Sequence, residues 1–160
     1  MADMVQAGTT LDITRVFDAP RDLVFKMWTD EKHLQAWWGP AGSDNGETRL
    51  DVRPGGEIFV QMRGPGFDHP MGGEFLEIDP PRRLVFTSKA FKNPDGSWRI
   101  VNHNTVTFEE SGGKTTMTLH CVVQHASQDL GVPVDGMAAG WNGSFDRLHG
   151  RLASRQARTV

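Results

Sequence analysis

The stretch MAAGWNGSFDRLHGRL, residues 137–152, decides the fold. Met137, Trp141, Phe145, Leu148 and Leu152 recur at helical spacing, and at about 100° per residue they fall on one narrow stripe. Asn142, Asp146, Gly150 and Arg151 lie away from it. The chain before this stretch is rich in strand-like segments, so a long aromatic helix is laid against a sheet. Few α+β architectures allow that, and in the leading one the space between helix and sheet is a ligand chamber.

Working back from the helix, the chain from Glu47 onward reads as a meander. Its turns are marked at Pro54-Gly55-Gly56, Gly64-Pro65-Gly66, Asp79-Pro80-Pro81, Asn93-Pro94-Asp95-Gly96 and Ser111-Gly112-Gly113. Five turns separate six strands. Alternation places Leu50 and Val52 on one face, then Ile58, Val60 and Met62. In the last strand Met117, Leu119, Cys121 and Val123 face one way and Thr116, Thr118 and His120 the other. This is a sheet with one wet face.

Before the meander, a strand over about Leu11 to Asp18 ends at Ala19-Pro20. Proline opens a helix with Leu23, Val24, Met27 and Trp28 on its apolar face. Asp30 caps a second short helix carrying Leu34, Trp37 and Trp38, which Gly39-Pro40 stops. The order predicts a seven-stranded antiparallel sheet curling around the C-terminal helix. A sheet that wide curves, and one helix cannot fill its concave side.

Composition sets the outer bounds. At 160 residues a single domain is expected over 1–160, with a core at about 10–154. A formal charge of -3, with 23% charged residues, gives no polyanion-binding signature. Cys121 is the only cysteine, which fits a reducing, cytoplasmic setting and excludes an internal disulfide. No run approaches the roughly 20 apolar residues of a membrane span.

Several words along the chain carry a resemblance: Ile13-Thr14-Arg15, Ala19-Pro20, Val24-Phe25, Leu34, Trp37-Trp38-Gly39-Pro40, and Asp51-Val52-Arg53-Pro54-Gly55-Gly56. Gly73 through Ile78, Pro80-Pro81-Arg82, Leu84-Val85-Phe86-Thr87, Gly140-Trp141 and Leu148 complete the set. In this order they resemble the SRPBCC or START-like superfamily, and within it the family related to the activator of the heat-shock-protein-90 ATPase, over about Thr10 to Leu152. The resemblance implies an α+β helix-grip fold with a deep, mostly apolar pocket between the long helix and the sheet. It fixes activity far less, since relatives include co-chaperone domains, lipid and hormone carriers and polyketide cyclases.

Candidate pocket residues follow from parity and helix face. Trp38 either closes the cavity on a ligand or anchors the short helices, and Trp141 and Phe145 face inward as core or as cavity wall. Gly140 and Gly143 each cost the last helix ~1 kcal/mol relative to alanine, which a close backbone approach or a bend would explain. Met62, Phe86 and Leu119 line the expected chamber, with Ser88, Asn104 and Glu74 as polar contacts. Glu74 shares parity with Leu76 and Ile78, unless a bulge at Gly72-Gly73 shifts it. Asp51 and Arg53 read as an ion pair or turn support. The histidines lack a metal-ligand spacing, so no metal is expected, and no cofactor motif is present.

Three functional readings result. The first is a binding domain enclosing a small hydrophobic molecule, lipid or aromatic, with Trp38, Met62, Glu74, Phe86, Asn104, Leu119, Trp141 and Phe145 as its site. The second is a co-chaperone that stimulates a chaperone ATPase. The third is a cyclase- or dehydratase-like enzyme using Glu74 or His103. A homodimer is compatible with all three.

Overall fold

The computed structural model describes residues 3–40 and 42–154. Strand β1 (Thr10–Phe17) is followed by helices α1 (Arg21–Thr29) and α2 (Glu31–Trp37). Then come β2 (Thr48–Leu50), β3 (Glu57–Gly64), β4 (Phe67–Asp79), β5 (Arg83–Lys92), β6 (Trp98–Ser111), β7 (Lys114–Ala126) and the long helix α3 (Val134–Ala153). The seven strands form one sheet in the order β1-β7-β6-β5-β4-β3-β2. Every neighbouring pair is antiparallel. Because α1 and α2 intervene, β1 reaches the edge beside β7 while the meander starts at the opposite edge.

Local chemistry sets the helix bounds. Pro20 precedes α1 in extended conformation, and Asp30 ends α1 while its side chain accepts from the His33 amide at 3.1 Å to start α2. The second helix ends one residue earlier than its sequence predicts. Trp38 is its C-cap, extended at φ -64 and ψ 137, and the chain then turns through Gly39 at φ 95. The two adjacent indoles diverge because the helix stops between them.

Two strands depart from simple alternation. Leu50 ends β2, and Val52 is exposed in the turn beyond it, where Arg53 pairs with Asp51 at 2.7 Å and its amide donates to the Asp51 carbonyl. Turn support, not cross-strand pairing, is the role of that ion pair. In β4 the register shifts between Phe75 and Glu77, so Leu76 is the extra residue of a bulge. Met71 and Phe75 are buried, and Ile78 resumes the inner face after the bulge. Glu74 is therefore exposed on the outer face. The shift arises at Leu76, not at Gly72-Gly73.

The main core fills the space between the sheet and the three helices. Phe145 and Leu148 of α3 are fully buried with Met117, Leu119 and Cys121 of β7. Trp28, Trp37, Trp38, Phe86, Trp141 and Phe145 form a connected ring cluster, its tightest pair Trp28–Trp37 at 4.8 Å. A second, smaller core joins Val5, Ile100, Val123 and Leu130 under the start of α3, and Met137 packs against both.

Leu148 has no exposed surface and Val16 is 59% exposed. Leu148→Ala is expected to cost about 2–5 kcal/mol and Val16→Ala less than about 0.5 kcal/mol, read by urea denaturation.

Candidate functional site

Between the two cores lies an open cavity of about 260 Å³. The first half of α3 supplies Gly136, Met137, Gly140, Trp141 and Ser144 to it. Met62 and Met71 come from β3 and β4, Ser88, Ala90 and Phe91 from β5, and Ile100 and Asn102 from β6. Trp38-Gly39-Pro40 and Val132 complete the rim. The wall is overwhelmingly apolar.

Gly140 lies where α3 lines this cavity. A Cβ built on it meets no heavy atom within 4 Å, so neither a close backbone approach nor crowding requires the glycine. The helix forgoes ~1 kcal/mol relative to alanine.

Polar groups gather at one place on the floor. Asn104 is wholly buried and donates from Nδ2 to Ser88 Oγ at 2.9 Å, while its Oδ1 has no partner. Asn102, two residues back on the same face, is buried, borders the cavity, and has an unpartnered Oδ1. At the rim, Phe91 has φ 57, a left-handed conformation unusual for an aromatic residue, and its ring lies 6.0 Å from that of His69.

Trp38 is held in the wall by a polar clamp from α3. Arg147 donates to the carbonyls of Ala36 (2.9 Å), Trp38 (2.7 Å), Gly39 (3.2 Å), Pro40 (3.4 Å) and Ser43 (3.1 Å). Burial pulls its pKa down from the ordinary value, and the Asp44 charge opposes that. The guanidinium stays protonated all the same. Asn45 Nδ2 donates to the Gln35 and Trp38 carbonyls, and the Gly39 amide donates to Ser144 Oγ at 3.1 Å. One turn on, Arg151 donates to Nδ1 of the fully buried His33. His33 is pushed below its usual pKa by burial first, with Asp30 opposing and the Arg151 and Lys26 charges assisting.

Of the residues expected from sequence, Trp38, Met62, Ser88 and Trp141 border this cavity. Phe86, Asn104, Leu119 and Phe145 are buried on the same side but sit behind the wall. Glu74 is outside, because the Leu76 bulge fixes it on the outer face. His103 alternates with the inward Asn102 and Asn104, so it too points to the outer face. Neither group proposed for acid–base chemistry reaches the cavity. Cys121 is buried and its thiol is pushed up to about 12 by burial, which makes it a poor nucleophile. Among the described residues, no three His, Cys, Asp or Glu side chains converge on a metal-sized site.

Sequence reasoning missed Asn102, Ile100 and Arg147. The first two share parity with Asn104, which was the available signal. Arg147 could have been sought from the carbonyls that every helix end leaves without intrahelical donors, here at α2.

Arg147→Met is expected to lower stability by about 2 kcal/mol or more in urea titration, and Arg147→Lys to restore little, since a single ammonium cannot span carbonyls a planar fork reaches. His33 gives a pH dependence with a defined sign. Its folded pKa lies below the unfolded one, so stability is intact above about pH 6.5 and falls as the pH drops below it. The loss of Tm between about pH 7.5 and 5.5 is expected to be smaller in His33→Gln than in the unaltered protein.

The sequence model of the Activator of Hsp90 ATPase homolog 1-like protein family matches residues 18–153. No curated protein matches the chain. A solved protein from Chromobacterium violaceum superposes with a TM-score of 0.78 at 22% identity, covering 91% of this chain and 97% of that one. For a protein from Nitrosomonas europaea the TM-score is 0.75 at 24% identity, with 98% and 100% covered. The AHSA1 protein from Silicibacter pomeroyi gives 0.69 at 22% identity, with 91% and 98% covered. At such identities these structures establish the shared fold alone. Strand order, the paired short helices and a family match spanning nearly the whole described chain agree, and the chain belongs to the Activator of Hsp90 ATPase homolog 1-like family.

Proposed function

We propose that this protein binds a small hydrophobic molecule in the cavity between the first half of α3 and the curved sheet. The observation that carries the reading is Gly140: a helix-weakening residue, with open space beside it, in the wall of a cavity that also includes Trp38, Met62, Met71, Met137 and Trp141. An alanine there would meet no obstacle, so packing alone does not call for glycine.

Magnitudes support a modest ligand. The volume of about 260 Å³ lies just under the range of about 300–1,000 Å³ typical of small-molecule sites. Ten buried methylene-sized groups contribute about 8 kcal/mol, and association costs about 4 kcal/mol or more. The remainder corresponds to roughly millimolar binding, so firm capture needs polar contacts as well. Chaperone contact draws on the family name alone.

Gly140→Ala is expected to stabilise the protein by about 1 kcal/mol and Gly140→Leu to fill the cavity while keeping the fold. The check is native mass spectrometry of both variants and the unaltered protein, with a thermal-shift screen of small apolar and aromatic compounds. A co-purifying mass or shift lost in Gly140→Leu supports the reading. Binding that Gly140→Leu leaves unchanged, or none by any compound, overturns it.

A further inference from the structure

Resting on the ligand-binding reading above, we infer that the cavity selects uncharged aromatic compounds over saturated molecules of the same skeleton and over carboxylates. The aromatic cluster divides into two groups. Trp28, Trp37, Phe86 and Phe145 are at most 2% exposed, whereas Trp38 and Trp141, the two that line the cavity, keep 8% and 9%. Their indoles stand 5.5 Å apart at 82°. A flat ring lying along one of them is therefore nearly perpendicular to the other, and offset stacking and edge-to-face contact are the arrangements that aromatic groups favour.

Sulfur continues the pattern. Met62 of β3, Met71 of β4 and Met137 of α3 line the same cavity, and Met62 and Met137 keep part of their surface accessible. A thioether is polarisable and packs favourably at the edge of an aromatic ring, a contact that a saturated ring does not offer. Charge is disfavoured by the same lining. Among the described residues no Asp, Glu, His or Arg belongs to it. Lys89 borders the cavity through β5, where the alternation that turns Ser88 inward turns the Lys89 side chain to the outer face. A carboxylate ligand would lose its water without gaining a counter-ion.

The test is an NMR titration of the full chain at neutral pH with 2-naphthol, decahydro-2-naphthol and 2-naphthoate. The first two share a skeleton and a hydroxyl, so their difference reads aromaticity; the third keeps the rings and adds charge. 2-Naphthol is expected to bind about fivefold or more tighter than either competitor. In the Met62→Leu, Met137→Leu double variant, whose walls stay apolar at nearly the same volume, its advantage over decahydro-2-naphthol is expected to shrink about twofold or more. A smaller advantage over either competitor in the unaltered protein, or one that the folded double variant leaves undiminished, overturns this inference and leaves the ligand-binding reading standing. If none of the three binds, this inference falls, and the wider screen of apolar compounds decides the reading beneath it.

Discussion

The cavity side of the molecule depends on one guanidinium. Arg147 projects from α3 into the carbonyls at the end of α2, where it and Asn45 supply the donors the helix end lacks. Among the described residues it forms no ion pair, so backbone dipoles and the nearby Asp44 charge are what compensate its burial. The same bonds hold Trp38-Gly39-Pro40, which belongs to no helix or strand, in the cavity wall. The Trp38 carbonyl takes bonds from both Arg147 and Asn45, each at 2.7 Å. Its indole is thereby held edge-on to Trp141 at 5.5 Å.

Fixing α2 to α3 leaves the sheet to decide where space remains. Two register shifts do so. One, at Phe75/Glu77, inserts Leu76 into β4; the other, at Val101/Asn102, sets an extra residue of β7 against β6. Bulges bend a strand and raise its local twist. The second lies between Ile100 and Asn102, both of which line the cavity. Further along α3, Phe145 and Leu148 are wholly buried in the main core with Met117 and Leu119 of β7. One helix thus belongs to a dense core at its C-terminal half and to a cavity wall at its N-terminal half.

The parts legible in sequence are those governed by strict periods. The α3 stripe, the β7 alternation from Met117 to Val123 and the Asp30 cap all lie in the structure where spacing puts them. Glu74 went wrong because parity propagates only through an unbroken ladder, and a bulge leaves no sure mark in a stretch such as Phe75-Leu76-Glu77. Leu119 and Phe145 face the interior as their spacing requires, yet alternation says nothing about how far along a strand the cavity extends. Arg147 was hidden for a different reason. Its role is set by a helix end over a hundred residues away in the chain, and no local pattern encodes that pairing.

Several departures from good local design meet at one place. Gly140 weakens a helix without being crowded, Asn102 buries an acceptor without a donor, and Phe91 holds an aromatic residue at φ 57. All three border the cavity. Each could be relieved without altering the fold: alanine at 140, an apolar residue at 102, glycine at 91. In the main core Val60, Val106, Met117 and Leu119 are entirely withdrawn from solvent. Local rules are commonly broken where a site has a task that packing does not serve. Three such costs bordering one opening are a physical argument that the opening is used.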